Sequence, residues 1–221
     1  MKTLFKPLLV LAFAAVAFSS CMKDNSAENE ANQRRQEEAI AASLAEDKIK
    51  IEKYLLDNPS EAPEGWQEDE TEYPLTLIEK KPKRGFWFEV LEVPTEEDDE
   101  AYTHELSSSG GLVAPKVKVT YTASLLDGTE VQGETNGSFD FATFTSNSSV
   151  YNSVWFVSFF PKSIRKDGSD INIGGLTAKG LKKGSKIRVV SPSYWAFGAN
   201  KVGDIPANSP LVYEFEVLTI E

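Results

Sequence analysis

The chain has 221 residues, 41% of them hydrophobic, and a formal net charge of -11, a size that fits one domain with a spacer or two small domains. So acidic a chain carries no footprint for neutralising phosphates, which excludes nucleic acid and anionic lipid surfaces as expected partners. Its single cysteine, Cys21, excludes an intramolecular disulfide.

Lys2 and Lys6 precede a continuously apolar stretch from Leu8 to Phe18, and Ser19-Ser20-Cys21 follows at once. Positive, then apolar, then small residues is the order of a secretory signal. The apolar run is about a dozen residues, short of the ~20 that span a bilayer. Phe18-Ser19-Ser20-Cys21 resembles a bacterial lipobox, with Phe18 where leucine is usual. The resemblance implies that residues 1–20 are a removed leader and that Cys21 is lipidated. The chain is then expected in the cell envelope, at the outer membrane on its periplasmic side or at the cell surface, touching the membrane through acyl chains only.

Residues 21–38 offer almost nothing to bury and read as a disordered tether. Over 37–57, Ile40, Leu44, Ile51 and Leu55 recur at helical spacing, while Glu37, Asp47 and the other charges fill the remaining faces. This predicts an amphipathic helix packed on the following domain, ended by Asp57-Asn58-Pro59 because proline cannot continue the ladder. A connector completes the stretch 39–83, with a short extended piece at Leu75 to Ile78.

From residue 84 the pattern becomes β. Phe86 to Leu91 is an aromatic-rich strand, followed by a long loop over 94–115. The acidic run Glu96 to Glu100 in that loop lacks the alternating ligands and turn glycine of a calcium loop, so it reads as solvated. Val117, Val119 and Tyr121 alternate with polar residues, Asp127-Gly128 marks a hairpin turn, and Ile187 to Val190 and Leu211 to Ile220 are further strands. Leu176 to Leu181 is expected as the one short helix. The fold class is therefore α+β: an antiparallel sheet wrapped on one short α-helix over 84–221, preceded by the N-terminal amphipathic helix.

The standard catalytic constellations are missing. His104 is the sole histidine, with no serine or thiol motif around it. No Cys/His cluster suggests a metal, no glycine loop a nucleotide, and no cofactor is expected. Strand-borne aromatics remain, as core or as the lining of an apolar cup.

Four segments carry a resemblance. Val119-Thr120-Tyr121-Thr122-Ala123-Ser124-Leu125-Leu126-Asp127-Gly128-Thr129, Gly180 to Lys186, Ser191 to Gly198, and Ile205 to Leu218 are similar, in that order, to the ordered motifs of FKBP-type peptidyl-prolyl isomerases. The resemblance covers the chain from about Gly85 on. It implies a prolyl peptide held in an aromatic cup, with Tyr121, Phe139, Phe197 and Tyr213 as the catalytic lining. Val131, Gln132, Phe141, Ile205 and Ile173 would contact substrate, with Leu176 or Trp155 as the pocket floor. Val131-Gln132 replaces the family's Phe-Asp pair, Phe197 its tyrosine and Ala123 its glycine, and Asn147 to Ile171 is longer than usual. The expected function is an isomerase or folding helper outside the cytoplasm, acting on X-Pro bonds of client proteins. Two alternatives stand beside it: a degenerate module that binds peptide without turnover, and a surface glycan-binding lipoprotein using aromatics around Trp155.

Overall fold

The structure, a computed structural model, describes residues 26–144 and 148–221. The leader, the lipobox and Cys21 lie outside the described residues. Among the described residues no helix is long and apolar enough to cross a membrane.

Helix α1 spans Ser26–Asp57. It starts inside the stretch expected as a tether, because Ala, Glu, Gln and Arg are strong helix formers even without an apolar face. Strand β1 (Gln67–Glu68), β2 (Trp87–Glu92), helix α2 (Glu96–Ala101), β3 (Lys116–Leu125) and β4 (Glu130–Asp140) follow. Then come helix α3 (Ser153–Phe159), β5 (Ser163–Lys166), β6 (Ser169–Asn172), β7 (Lys186–Ser191) and β8 (Leu211–Ile220). Six strands form one antiparallel sheet in the order β1-β2-β7-β8-β3-β4, and β5 and β6 form a separate hairpin. The β3–β4 turn uses Gly128 at φ 85°, with the Asp127 carboxylate accepting from Thr129 N–H at 2.9 Å.

Alternation along the strands divides the sheet into two apolar faces. Val119, Tyr121, Ile187, Val189, Tyr213 and Phe215 face the main core, which α3 covers. Val190 and Val212 point the other way and pack with Ile51 of α1. The architecture is thus helix, sheet, helix, with α3 over the main core and α1 covering the second face at β7 and β8.

Three expectations are corrected. Leu176 to Leu181 is not helical. Gly174, Gly175 and Gly180 break it, and its amides bond instead to the α3 region, Leu176 N–H to Val157 O at 2.7 Å and Leu181 N–H to Phe159 O at 2.9 Å. The helix over the sheet is α3, inside the segment expected as an insertion. Leu75 to Ile78 is not extended, since residues 76–79 form a turn closed by the Leu75–Lys80 pair. Glu37 and Asp47 do not face outward. Glu37 accepts from the amides of Leu77 and Ile78, and Asp47 is 1% exposed.

The acidic run becomes α2, capped by Thr95. Asp98 pairs with Lys183, and Asp99 with Lys179 and Lys182, so these lysines hold both carboxyls below the usual range.

Candidate functional site

Trp155 is the hub of the main core. Its ring centroid lies 4.9 Å from those of Tyr121, Phe139 and Phe215, and 5.5 Å from that of Tyr151. It is 0% exposed, and its indole N–H has no partner among the described residues. Tyr121, Phe141, Ile205 and Tyr213 are buried in the same cluster, with Val131 and Phe139 half-buried against it. The expected cup lining is therefore brought together, but as packed core. Trp155 rather than Leu176 lies beneath Tyr121 and Phe139. Leu176 is buried against the end of α3, and Ile173 donates to Lys162 O at 2.8 Å, so neither lines the open cleft described below. Trp155 itself is completely buried, whereas Tyr151 and Phe156 beside it reach the open cleft.

Asn152 closes the cup from above. Its Oδ1 accepts from Val154 N–H at 3.0 Å and so caps α3, while its Nδ2 donates to the Tyr213 hydroxyl at 2.7 Å. Burial pushes the Tyr213 phenol well above its ordinary pKa, with the Asn152 bond a smaller opposing effect. Burial likewise raises Tyr121 and Tyr151. All three hydroxyls are neutral donors at ordinary pH. Gln132, where the resemblance implies a carboxylate, donates from Nε2 to Ser149 O at 2.6 Å, and its buried Oε1 has no partner among the described residues.

Just above this lies an open cleft of about 680 Å³. One wall is Phe144, Tyr151 and Phe156, from the approach to α3 and from α3 itself. The other is Tyr194, Trp195 and Phe197, from the loop after β7. Asn152 sits at the junction, and among the described residues no lining residue carries a charge. The second wall is held firmly. The Trp195 indole N–H donates to Arg84 O at 2.8 Å, and the Tyr194 and Tyr73 hydroxyls lie 3.3 Å apart. Burial, followed by the Tyr73 contact, lifts the Tyr194 pKa to about 12.

Of the expected site residues only Phe197 lines this cleft. Tyr151, Asn152, Phe144, Phe156, Tyr194 and Trp195 were not singled out for it. The asparagine before Ser153-Val154-Trp155 was a usable signal, since Asn is a preferred helix N-cap. Among the described residues no three His, Cys, Asp or Glu side chains are grouped as a metal site. An uncharged aromatic cleft with amide and phenol donors can hold an apolar peptide segment and hydrogen-bond its carbonyls, but it offers no nucleophile with a base.

No protein-family model matches the chain. A 43-residue segment, 20% of the chain, is 42% identical to the FKBP-type peptidyl-prolyl cis-trans isomerase FkpA of Buchnera aphidicola subsp. Schizaphis graminum, and covers 17% of it. A 42-residue segment is 45% identical to FkpA of Buchnera aphidicola subsp. Acyrthosiphon pisum, covering 19% of this chain and 17% of that protein. The chain thus matches about a sixth of the length of these curated relatives. Among solved structures, a peptidyl-prolyl cis-trans isomerase from Pseudomonas syringae pv. tomato aligns with TM-score 0.45 and 20% identity, over 82% of this chain and 95% of that one. FkpA from Escherichia coli aligns with TM-score 0.43 and 20% identity, over 89% of this chain and 66% of that one. The two curated relatives bear out the resemblance to FKBP-type peptidyl-prolyl isomerases over a segment of 42–43 residues.

Proposed function

We propose that the protein is an FKBP-type peptidyl-prolyl isomerase or folding helper, lipid-anchored through Cys21 outside the cytoplasm, that binds X-Pro segments of client proteins in the cleft above Trp155. The observation that carries the reading is convergence. The resembling segments that contain Tyr121, Phe197 and Tyr213 are far apart in sequence, yet they pack around one core, and Phe197 carries that core to the edge of an uncharged aromatic cleft.

The chemistry suits such a surface. Amide resonance sets a barrier of ~18–20 kcal/mol. Twisting the X-Pro bond uncouples nitrogen from carbonyl and makes the amide less polar. A dry aromatic wall therefore binds the twisted state better than the planar one, and that difference is catalysis. Phe197 supplies wall area, and the neutral donors of the cleft hold the peptide backbone.

The deciding experiment is a prolyl-isomerisation assay on peptides with several residues before proline, with Phe197→Ala as the control. Catalysis above the spontaneous rate, lost in the control, is the expected outcome. A spontaneous rate with every peptide would sink the isomerase reading.

A second reading, peptide binding without turnover, is favoured by one observation: the family cup is filled, with the Tyr213 hydroxyl taken by Asn152. Chemical-shift changes on adding the same peptides, without catalysis, would establish it. The anchor is checked separately, by metabolic labelling with a fatty acid that Cys21→Ser abolishes.

A further inference from the structure

Helix α1 reaches the cleft without lining it. Asp47 is buried on the face of α1 that meets the loop after β7, and its Oδ2 accepts from Ser193 N–H at 2.8 Å and from Ser193 Oγ at 2.5 Å. Its other oxygen takes Lys50 Nζ at 3.1 Å. Ser193 is completely buried and is the pivot of its loop, because its carbonyl accepts from Ala196 N–H at 3.0 Å and from Gly198 N–H at 2.8 Å. Those two amides bracket Phe197. One carboxylate on α1 thus fixes the residue from which the Tyr194-Trp195-Phe197 wall hangs.

We infer that Asp47 is a positioning residue for the cleft, acting through Ser193, and that α1 is part of the working site rather than a spacer. This rests on the cleft being where the proline peptide binds. A charged acceptor serving two donors in a buried setting is a strong local restraint, and small misplacements of a binding wall are costly to catalysis. Glu37 supplies an internal comparison. It also ties α1 to the domain, but at the 76–79 turn, none of whose residues lines the cleft.

The experiment compares Asp47→Ala, Asp47→Asn, Ser193→Ala and Glu37→Ala in the full chain. Two readouts are taken: kcat and KM for isomerisation of a proline peptide, and the fluorine resonance of 5-fluorotryptophan at Trp195, identified by Trp195→Phe. Asp47→Ala is expected to lower kcat/KM by about tenfold, mainly through KM, and to shift the Trp195 resonance. Ser193→Ala should do the same more weakly. Asp47→Asn, which keeps one acceptor and folds even if the alanine variant does not, should fall between wild type and Asp47→Ala. Glu37→Ala should leave both readouts at wild-type values. If Asp47 and Glu37 variants behave alike in both readouts, the inference is overturned. If the wild type shows no isomerisation, the functional proposal fails instead. The Trp195 resonance then still decides the coupling: a shift with Asp47 variants alone upholds it, and no shift overturns it.

Discussion

Asn152 joins two tasks in one side chain, capping α3 and partnering a buried phenol. Loss of an N-cap costs about 1 kcal/mol, and an orphaned buried hydroxyl about 1–3 kcal/mol. Asn152→Ala is therefore expected to destabilise the fold by about 2–3 kcal/mol in urea unfolding. Asn152→Asp should recover most of that, since its carboxylate both caps the helix and accepts from the Tyr213 O–H. Equal losses in the two variants would count against the double role. His104 presents a different case. It is 4% exposed, lies edge-on to Tyr102, and its Nε2–H donates to Leu181 O at 3.3 Å. Burial lowers its pKa to about 4 from the ordinary 6.5. Between those values the unfolded chain binds a proton that the folded chain refuses, so stability is full above pH 6.5 and falls as pH drops towards 4. Acidifying from pH 7.5 to 4.5 should remove roughly 2–3 kcal/mol through this residue. The check is the same comparison in His104→Gln, where that increment should vanish. An unchanged pH dependence would show that other groups carry it.

At the scale of elements, α3 and the extended 173–177 segment form one unit. Gly175 is pressed against the chain after α3, and a Cβ there would stand 1.7 Å from Phe160 O. Backbone cannot retreat from that overlap cheaply, so Gly175→Ala is expected to destabilise by about 3 kcal/mol or more. Thermal melting indistinguishable from wild type would contradict this packing. The strands were legible in the sequence because alternation directly records a half-buried surface: Val117-Val119-Tyr121 and Leu211-Tyr213-Phe215-Val217 fall on the core face as read. The helix was misplaced because its signal is short. The α3 sequence Ser-Val-Trp-Phe-Val-Ser-Phe is rich in aromatic and β-branched residues that favour strands, and only burial on nearly all sides makes it helical. Leu176 to Leu181 has a better apolar spacing, but the glycines around it and its hydrogen bonds to the α3 region keep it from forming a helix. The candidate site was half legible for the same reason. Residues on strands could be assigned, whereas Tyr151, Asn152, Tyr194 and Trp195 sit on segments whose path depends on tertiary contacts.

For the whole molecule, the question is what α1 contributes to the domain it precedes. Its two halves differ in kind. Residues 26–36 are exposed, and an ion pair such as Arg34–Glu30 at 3.9 Å is worth only ~0.3–0.5 kcal/mol at the surface. From Glu37 onward the docking stripe runs Glu37, Ile40, Leu44, Asp47, Ile51, a spacing of three and four that holds one helix face. Two acids belong to that stripe because each meets backbone amides rather than apolar surface, which is why hydrophobic periodicity alone assigned them outward. Burying Leu44 and Ile51 contributes roughly 1.5–3 kcal/mol each, partly offset by the entropy of fixing the helix. Deleting residues 26–36 should therefore leave the urea midpoint almost unchanged. Deleting 26–57 should lower the unfolding free energy by several kcal/mol, and the bared Val190, Val212 and Trp87 should make the truncated domain self-associate in sedimentation velocity. A monomeric, fully stable 58–221 domain would mean that the back of the sheet needs no cover, and α1 would then be a spacer. The contrast between the two deletions separates the exposed half of the helix from the half built into the domain.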